Sequence, residues 1–161
     1  MRQILSRREV RADLWRYPGE AGEGPLVRTL AELLALPSDG DVAAGETVGE
    51  LGVRVGPTDE VASLAPFLDR LQLIVVQFEA SGDGRGYSQA QLLRQRLGYA
   101  GELRAAGAVK RDHLYLLARC GFDSFDFAPG EDAHAALAHM ERYSVAYQAS
   151  SGKLVQPRLR A

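Results

Sequence analysis

The chain has 161 residues, 46% hydrophobic and 25% charged, with a formal net charge of −2; it suits a single soluble domain that buries roughly two-thirds of the surface its unfolded form exposes. So weak a net charge gives no long-range pull toward nucleic acid or anionic lipid. No apolar run approaches the ~20 residues that span a bilayer, and residues 1–17 lack the apolar core of a signal peptide, so a cytoplasmic location with no nucleic-acid or membrane partner is the expectation.

Residues 1–17 mix β-branched and aromatic side chains with many arginines, and Val10, Leu14, Trp15 and Tyr17 support a short strand or hairpin. A turn follows at 18–24. Pro25 then stands where a helix begins, with Leu26, Leu30, Leu33 and Leu34 as an apolar stripe ending before Pro37. Residues 38–49 are small, acidic and glycine-rich, the composition of a flexible connection. Residues 1–48 thus read as an N-terminal appendage, 49–149 as a β/α core domain, and 150–161 as a polar tail.

The core pattern is regular. Residues 51–55 form a strand, and a turn at Gly56-Pro57 leads to a helical segment carrying Val61, Leu64, Ala65 and Leu68. That segment is capped by Thr58 or Asp59, or else starts near Ser63 with Pro66 in its first turn. Residues 73–78 are almost continuously apolar, as in a strand buried on both faces. The polar glycine loop 81–88 cannot extend that strand, and Tyr87, Ala90, Leu93 and Leu97 then recur at helical spacing. A second central strand covers 102–106. Its helix, about 110–120, places Val109, His113, Leu116, Leu117 and Cys120 inward and stops at Gly121. A third strand at 124–127, a helix at 132–143 with Ala133, Ala136, Leu137 and Met140 inward, and a short strand at 145–148 complete the series. Strands of about five residues alternating with helices imply an α/β fold of parallel β-α units. It is either a small open parallel sheet or a partial barrel, half of a (β/α)8 barrel.

In such folds, ligands bind at the loops following the strand C-termini. That rule gathers Gln77, Glu79, Asp83, Arg85, Tyr87 and Ser88 after one strand, Lys110, Arg111 and Asp112 after the next, and Asp126 after the third. Arg104 lies mid-strand on one face with Glu102 and Ala106. An isolated buried charge is costly, so Arg104 needs a carboxylate, and Glu79 or Asp83 is the expected one. The loop Gly82-Asp-Gly-Arg-Gly86 could cradle an anion on backbone N–H groups with Arg85 closing on it. It is neither a Walker loop nor a dinucleotide fingerprint. The bland alternative is a glycine turn with Asp83 capping the helix and Arg85 in a surface ion pair, and Asp112 in its turn reads as a helix-start residue. Lys110 and Lys153 are the only lysines among 19 basic residues, and arginine suits bidentate anion contacts. Cys120 is the single cysteine, which excludes an internal disulfide, a C-x-x-C pair and a four-thiolate cluster. It reads as a buried apolar residue, and His113 as a core or partner-facing histidine. His134 and His139 are five apart, on different helix faces, and no metal site is expected.

Taken in order, Asp83-Gly-Arg-Gly-Tyr-Ser88, Gln91-Leu-Leu-Arg94, Gly101-Glu-Leu-Arg-Ala105, Gly107, Asp112, Arg119-Cys-Gly-Phe122 and Tyr147-Gln148 resemble a bacterial family of unknown function. Its members are labelled as oxidoreductases involved in sulfite reduction and are encoded beside the sulfite or nitrite reductase hemoprotein. The resemblance covers about residues 50–148. Glu79-Ala-Ser-Gly82 and Lys110-Arg-Asp-His113 depart from the family pattern. It implies a place in assimilatory sulfur metabolism, with the reductase hemoprotein as a partner. The residues themselves contain no cluster ligands and no nicotinamide motif. One expectation is therefore an accessory protein acting with sulfite reductase or its electron donor. The other is a small enzyme or ligand-binding domain holding an oxyanion or phosphorylated molecule with Arg85, Arg104 and Arg111. No covalently bound cofactor is expected; flavin, a small anion and homo-oligomerisation stay open.

Overall fold

The apolar run at 73–78 is the body of the longest strand of a mixed sheet. The computed structural model describes residues 2–21, 23–36 and 51–141. Within them lie β1 (Gln3–Ser6), β2 (Glu9–Ala12), β3 (Val27–Thr29), β4 (Leu51–Val55), β5 (Leu71–Phe78), β6 (Glu102–Gly107) and β7 (Ser124–Phe125). They form one seven-stranded sheet in the order β2-β1-β7-β6-β5-β4-β3. From β3 to β7 each neighbouring pair is parallel; β1 runs antiparallel to both β7 and β2. The sheet is open and does not close into a barrel, which decides between the two architectures the sequence allows.

Alternation along the strands sorts the core into two layers. Val53, Val55, Ile74, Val76, Phe78, Leu103 and Ala105 face the helices α1 (Leu30–Leu34), α2 (Arg85–Gln91), α3 (Leu114–Arg119) and α4 (Ala133–Glu141). These helices supply Leu33, Ala90, Leu114, Leu117 and Ala136, all at most 2% exposed. Full burial of a Val or Leu side chain contributes about 1.5–3 kcal/mol, so this layer holds the fold. On the other face Val27, Leu73, Val75 and Ala106 are covered by Trp15 and Tyr17. Trp15 lies on Gly52, where a Cβ would come within 2.7 Å of its ring. The N-terminal residues thus supply both extra strands and the cover of this second face.

Several local expectations change. Residues 27–29 are strand rather than helix, because Val27, Arg28 and Thr29 ladder onto Gly52, Val53 and Arg54 of β4. The helix starts only at Leu30, where Thr29 and Glu32 form a reciprocal capping box at 3.3 and 2.7 Å. The Pro66 segment, Val61–Phe67, is a 3₁₀ helix. The hairpin expected within 1–17 is formed by residues 3–12, with Arg7 and Arg8 as its two-residue turn at φ 47° and 67°. Leu116 is 50% exposed rather than inward, because the 3₁₀ turn Arg111–His113 rotates α3 and buries Leu114 in its place. The proposed connection at 38–49, the strand at 145–148 and the tail at 150–161 lie outside the described residues. No helix among the described residues is long and apolar enough to cross a membrane.

Candidate functional site

At the C-terminal ends of the parallel strands, the loop from β5 into α2 is organised by one ion pair. The Asp83 carboxylate accepts from Arg85 Nε at 3.0 and 3.2 Å, from Arg85 Nη2 at 2.7 Å, and from the Arg85 backbone N–H at 3.0 Å. The hydrogen bonds from Arg85 hold the Asp83 carboxyl below its ordinary pKa, and the same bonds raise Arg85. Gly86 opens α2 against the Phe78 ring, where a Cβ would lie 2.7 Å from Cε1. Gly82 and Gly84 differ. Neither has a positive φ, and a Cβ at either meets nothing within 4 Å. Tyr87 packs edge-on against Phe78, ring centroids 5.5 Å apart, so its ring belongs to the core. Glu79 and Ser88 are exposed beside the loop. Arg111 and Asp112 stand on the neighbouring loop, 3.9 Å apart with side chains 56% and 74% exposed.

Arg104 is not part of that cluster. It leaves the middle of β6 toward the second face and is fully buried. Its Nη1 donates to Asp13 Oδ1 at 2.8 Å and to the Tyr17 hydroxyl at 3.2 Å; Nη2 donates to Glu102 Oε1 at 2.9 Å, and Nε to Ser124 Oγ at 3.2 Å. The expected partners Glu79 and Asp83 are therefore corrected to Asp13 and Glu102. The reason is geometric: alternation aims Arg104 into the face covered by residues 13–17, whereas Asp83 lies beyond the end of β5 and is taken by Arg85. Burial works against the Arg104 charge, but Tyr17, Asp13 and Glu102 outweigh it and raise its pKa. Burial likewise pushes Glu102 up, yet the Ser124 hydrogen bond at 2.5 Å and the Arg104 charge leave it lowered. Asp126, at the end of β7, is raised by burial against the pull of Arg2 at 3.6 Å. Beside this network an open cavity of about 560 Å³ is lined by Arg2, Asp13, Trp15, Arg16, Glu20 and Glu23. Among the described residues the buried Arg16 Nε finds no hydrogen-bond partner.

Sequence reasoning missed Arg94 as well as Asp13. Just after α2 the helix widens into a π turn, Leu92–Arg96, with Leu97 N–H bonding Leu92 O at 3.0 Å. From it Arg94 donates to Gly121 O at 2.9 Å, Tyr99 O at 2.6 Å and Gly101 O at 2.9 Å, and pairs with Asp123. Gly121 has φ 104°, and a Cβ there would press on Arg94 Cγ at 2.7 Å. Much of the ordered motif set is thereby explained by one clamp between the helix and the entries of β6 and β7. The recurrence of Arg94, Gly101 and Gly121 in the motifs was the available signal; for Asp13 there was none. Cys120 is buried, and burial raises its thiol. Among the described residues no three His, Cys, Asp or Glu side chains gather to hold a metal ion.

Residues 52–157 match a family described as bacterial protein of unknown function. No curated protein matches the chain. The match spans most of the chain, which therefore belongs to that bacterial family.

Proposed function

We propose that this member of a bacterial family of unknown function is an accessory protein of assimilatory sulfite reduction, acting with sulfite reductase or its electron donor. The link to sulfite rests on the motif resemblance. The observation that carries the accessory role is the commitment of the arginines that an anion-binding enzyme would use. Arg85 is forked onto Asp83, and Arg104 is enclosed by Asp13, Glu102, Ser124 and Tyr17. What the strand ends offer is then a polar rim of Glu79, Asp83, Arg85, Ser88, Arg111 and Asp112, a surface suited to a partner protein rather than an enclosed reaction site. Deletion of the gene should impair growth on sulfite, and the protein should co-purify with the reductase. Unchanged reductase activity in extracts of the deletion strain would overturn the proposal.

A second reading, binding of a small anion, is favoured by Arg16 Nε at the cavity wall, which has no hydrogen-bond partner among the described residues. It predicts a rise in melting temperature with sulfate, phosphate, sulfite or flavin that Arg16→Ala removes. A wild-type melt that none of these shifts would end it.

A further inference from the structure

The hairpin turn between β1 and β2 lies at the opposite end of the sheet from Arg85, because β1 runs antiparallel to β7. Its two residues, Arg7 and Arg8, both hold left-handed backbone at φ 47° and 67°. A two-residue turn of this kind is made most readily by Asn-Gly or Asp-Gly, and large side chains resist positive φ. The hairpin alone does not favour two arginines. Both are exposed, and among the described residues neither side chain forms a hydrogen bond or ion pair. The backbone N–H of Arg7 donates to Asp123 O at 3.1 Å, which pins the turn beside β7. There the two arginines border a pocket of about 80 Å³ with an apolar wall of Ala118, Phe122, Phe125 and Met140. Among the described residues Asp123 is the one acid lining it, and its carboxylate is taken by Arg94.

We infer that this pocket docks an acidic peptide segment of a partner protein, with one apolar side chain in the pocket and flanking carboxylates on Arg7 and Arg8. The volume admits a single side chain and is far below the roughly 300–1,000 Å³ of small-molecule sites. Uncommitted guanidinium groups donate bidentately to carboxylates, and the charge of the rim selects an acidic occupant over a basic one. Backbone held at unfavourable φ recurs at ligand clamps, where function rather than folding selects the residue. This docking surface is independent of the sulfite-reduction proposal.

The test titrates the full chain into fluorescein-labelled peptides of sequence Gly-Glu-Asp-X-Asp-Glu-Gly, with Leu, Met, Phe or Ser at X, and reads fluorescence anisotropy. At least one apolar peptide should bind about tenfold more tightly than the Ser peptide, and binding should weaken between about 50 and about 300 mM salt. The double variant Arg7→Asn/Arg8→Gly separates folding from binding: it installs the favoured turn, so the melting temperature should hold or rise while binding falls by at least about tenfold. Met140→Asp should abolish the preference for an apolar X. Equal affinity for the Ser and apolar peptides, no binding of any peptide, or undiminished binding by the double variant would each overturn the inference.

Discussion

Removing Asp13 should damage this protein far more than its position near the N-terminus suggests. The Asp13 and Arg104 side chains are each 1% exposed and meet at 2.8 Å. Asp13→Ala leaves Arg104 Nη1 with the Tyr17 hydroxyl alone and takes the acceptor from the Trp15 backbone N–H, bonded at 3.1 Å. Breaking a buried pair by deleting one partner costs about 3–5 kcal/mol. Glu102, still on Nη2 at 2.9 Å, keeps part of the charge compensated, so the low end, about 3 kcal/mol, is expected. Against a total stability of about 5–15 kcal/mol that is a large fraction. With a urea m-value of about 2 kcal/mol/M, the midpoint should fall by about 1.5 M. Trp15 is the only tryptophan in the chain, so its emission reports release of the second-face cover while far-UV circular dichroism reports the sheet. Asp13→Ala/Arg104→Met should be more stable than Asp13→Ala, because the uncompensated charge is gone. A midpoint within about 0.3 M of wild type for Asp13→Ala would refute the assignment of that pair as a structural lock.

Glu102 has a lowered pKa, so its stabilisation is present above the unfolded value of about 4.3 and is lost as pH falls through the folded value. Glu102→Gln should therefore be less stable than wild type at pH 7, with the difference closing in acid; a constant gap in urea midpoints across that range would contradict this. Asp126 is the opposite case: its raised pKa favours the protonated folded form, a contribution complete below about pH 3.9 and lost as pH rises through the folded value. Asp126→Asn should then gain on wild type as pH climbs from acid to neutral, read from the same midpoints. Gly86→Ala drives a Cβ into the Phe78 ring and should cost about 1–3 kcal/mol, whereas Gly84→Ala, with open space around it, should stay within about 0.5 kcal/mol. Arg94→Met removes a donor from three carbonyls and leaves the Asp123 carboxylate with the Leu103 N–H but no cation, and should cost about 3–5 kcal/mol by thermal or urea unfolding.

The alternation of short apolar runs with helical stripes was enough to find the strands at 51–55, 73–78 and 102–106 and their parallel arrangement, because a two-sided buried strand and a glycine-stopped helix leave strong local marks. Glycine 121 marked a helix end for the reason its φ of 104° confirms. The strand Val27–Thr29 left no such mark: its apolar spacing also fits a helix, and only the ladder onto β4 selects extended backbone. The candidate loop was found by the rule for strand ends, but the state of its arginines was not, since whether a guanidinium is free or taken depends on which carboxylate the fold brings to it.

By itself, the order of residues determined that this chain is a β/α protein, that Arg104 would be buried on one face of a strand, and that a buried arginine would need a carboxylate. Those follow from local periodicity and from the cost of an unpaired charge. Tertiary structure alone decided that the sheet stays open, that Trp15 and Tyr17 cover its second face, and that the carboxylate is Asp13, 91 residues away from Arg104 in sequence. Pairing across such a distance is set by which segment can cover an exposed sheet face. That is a property of packing, and no local pattern carries it.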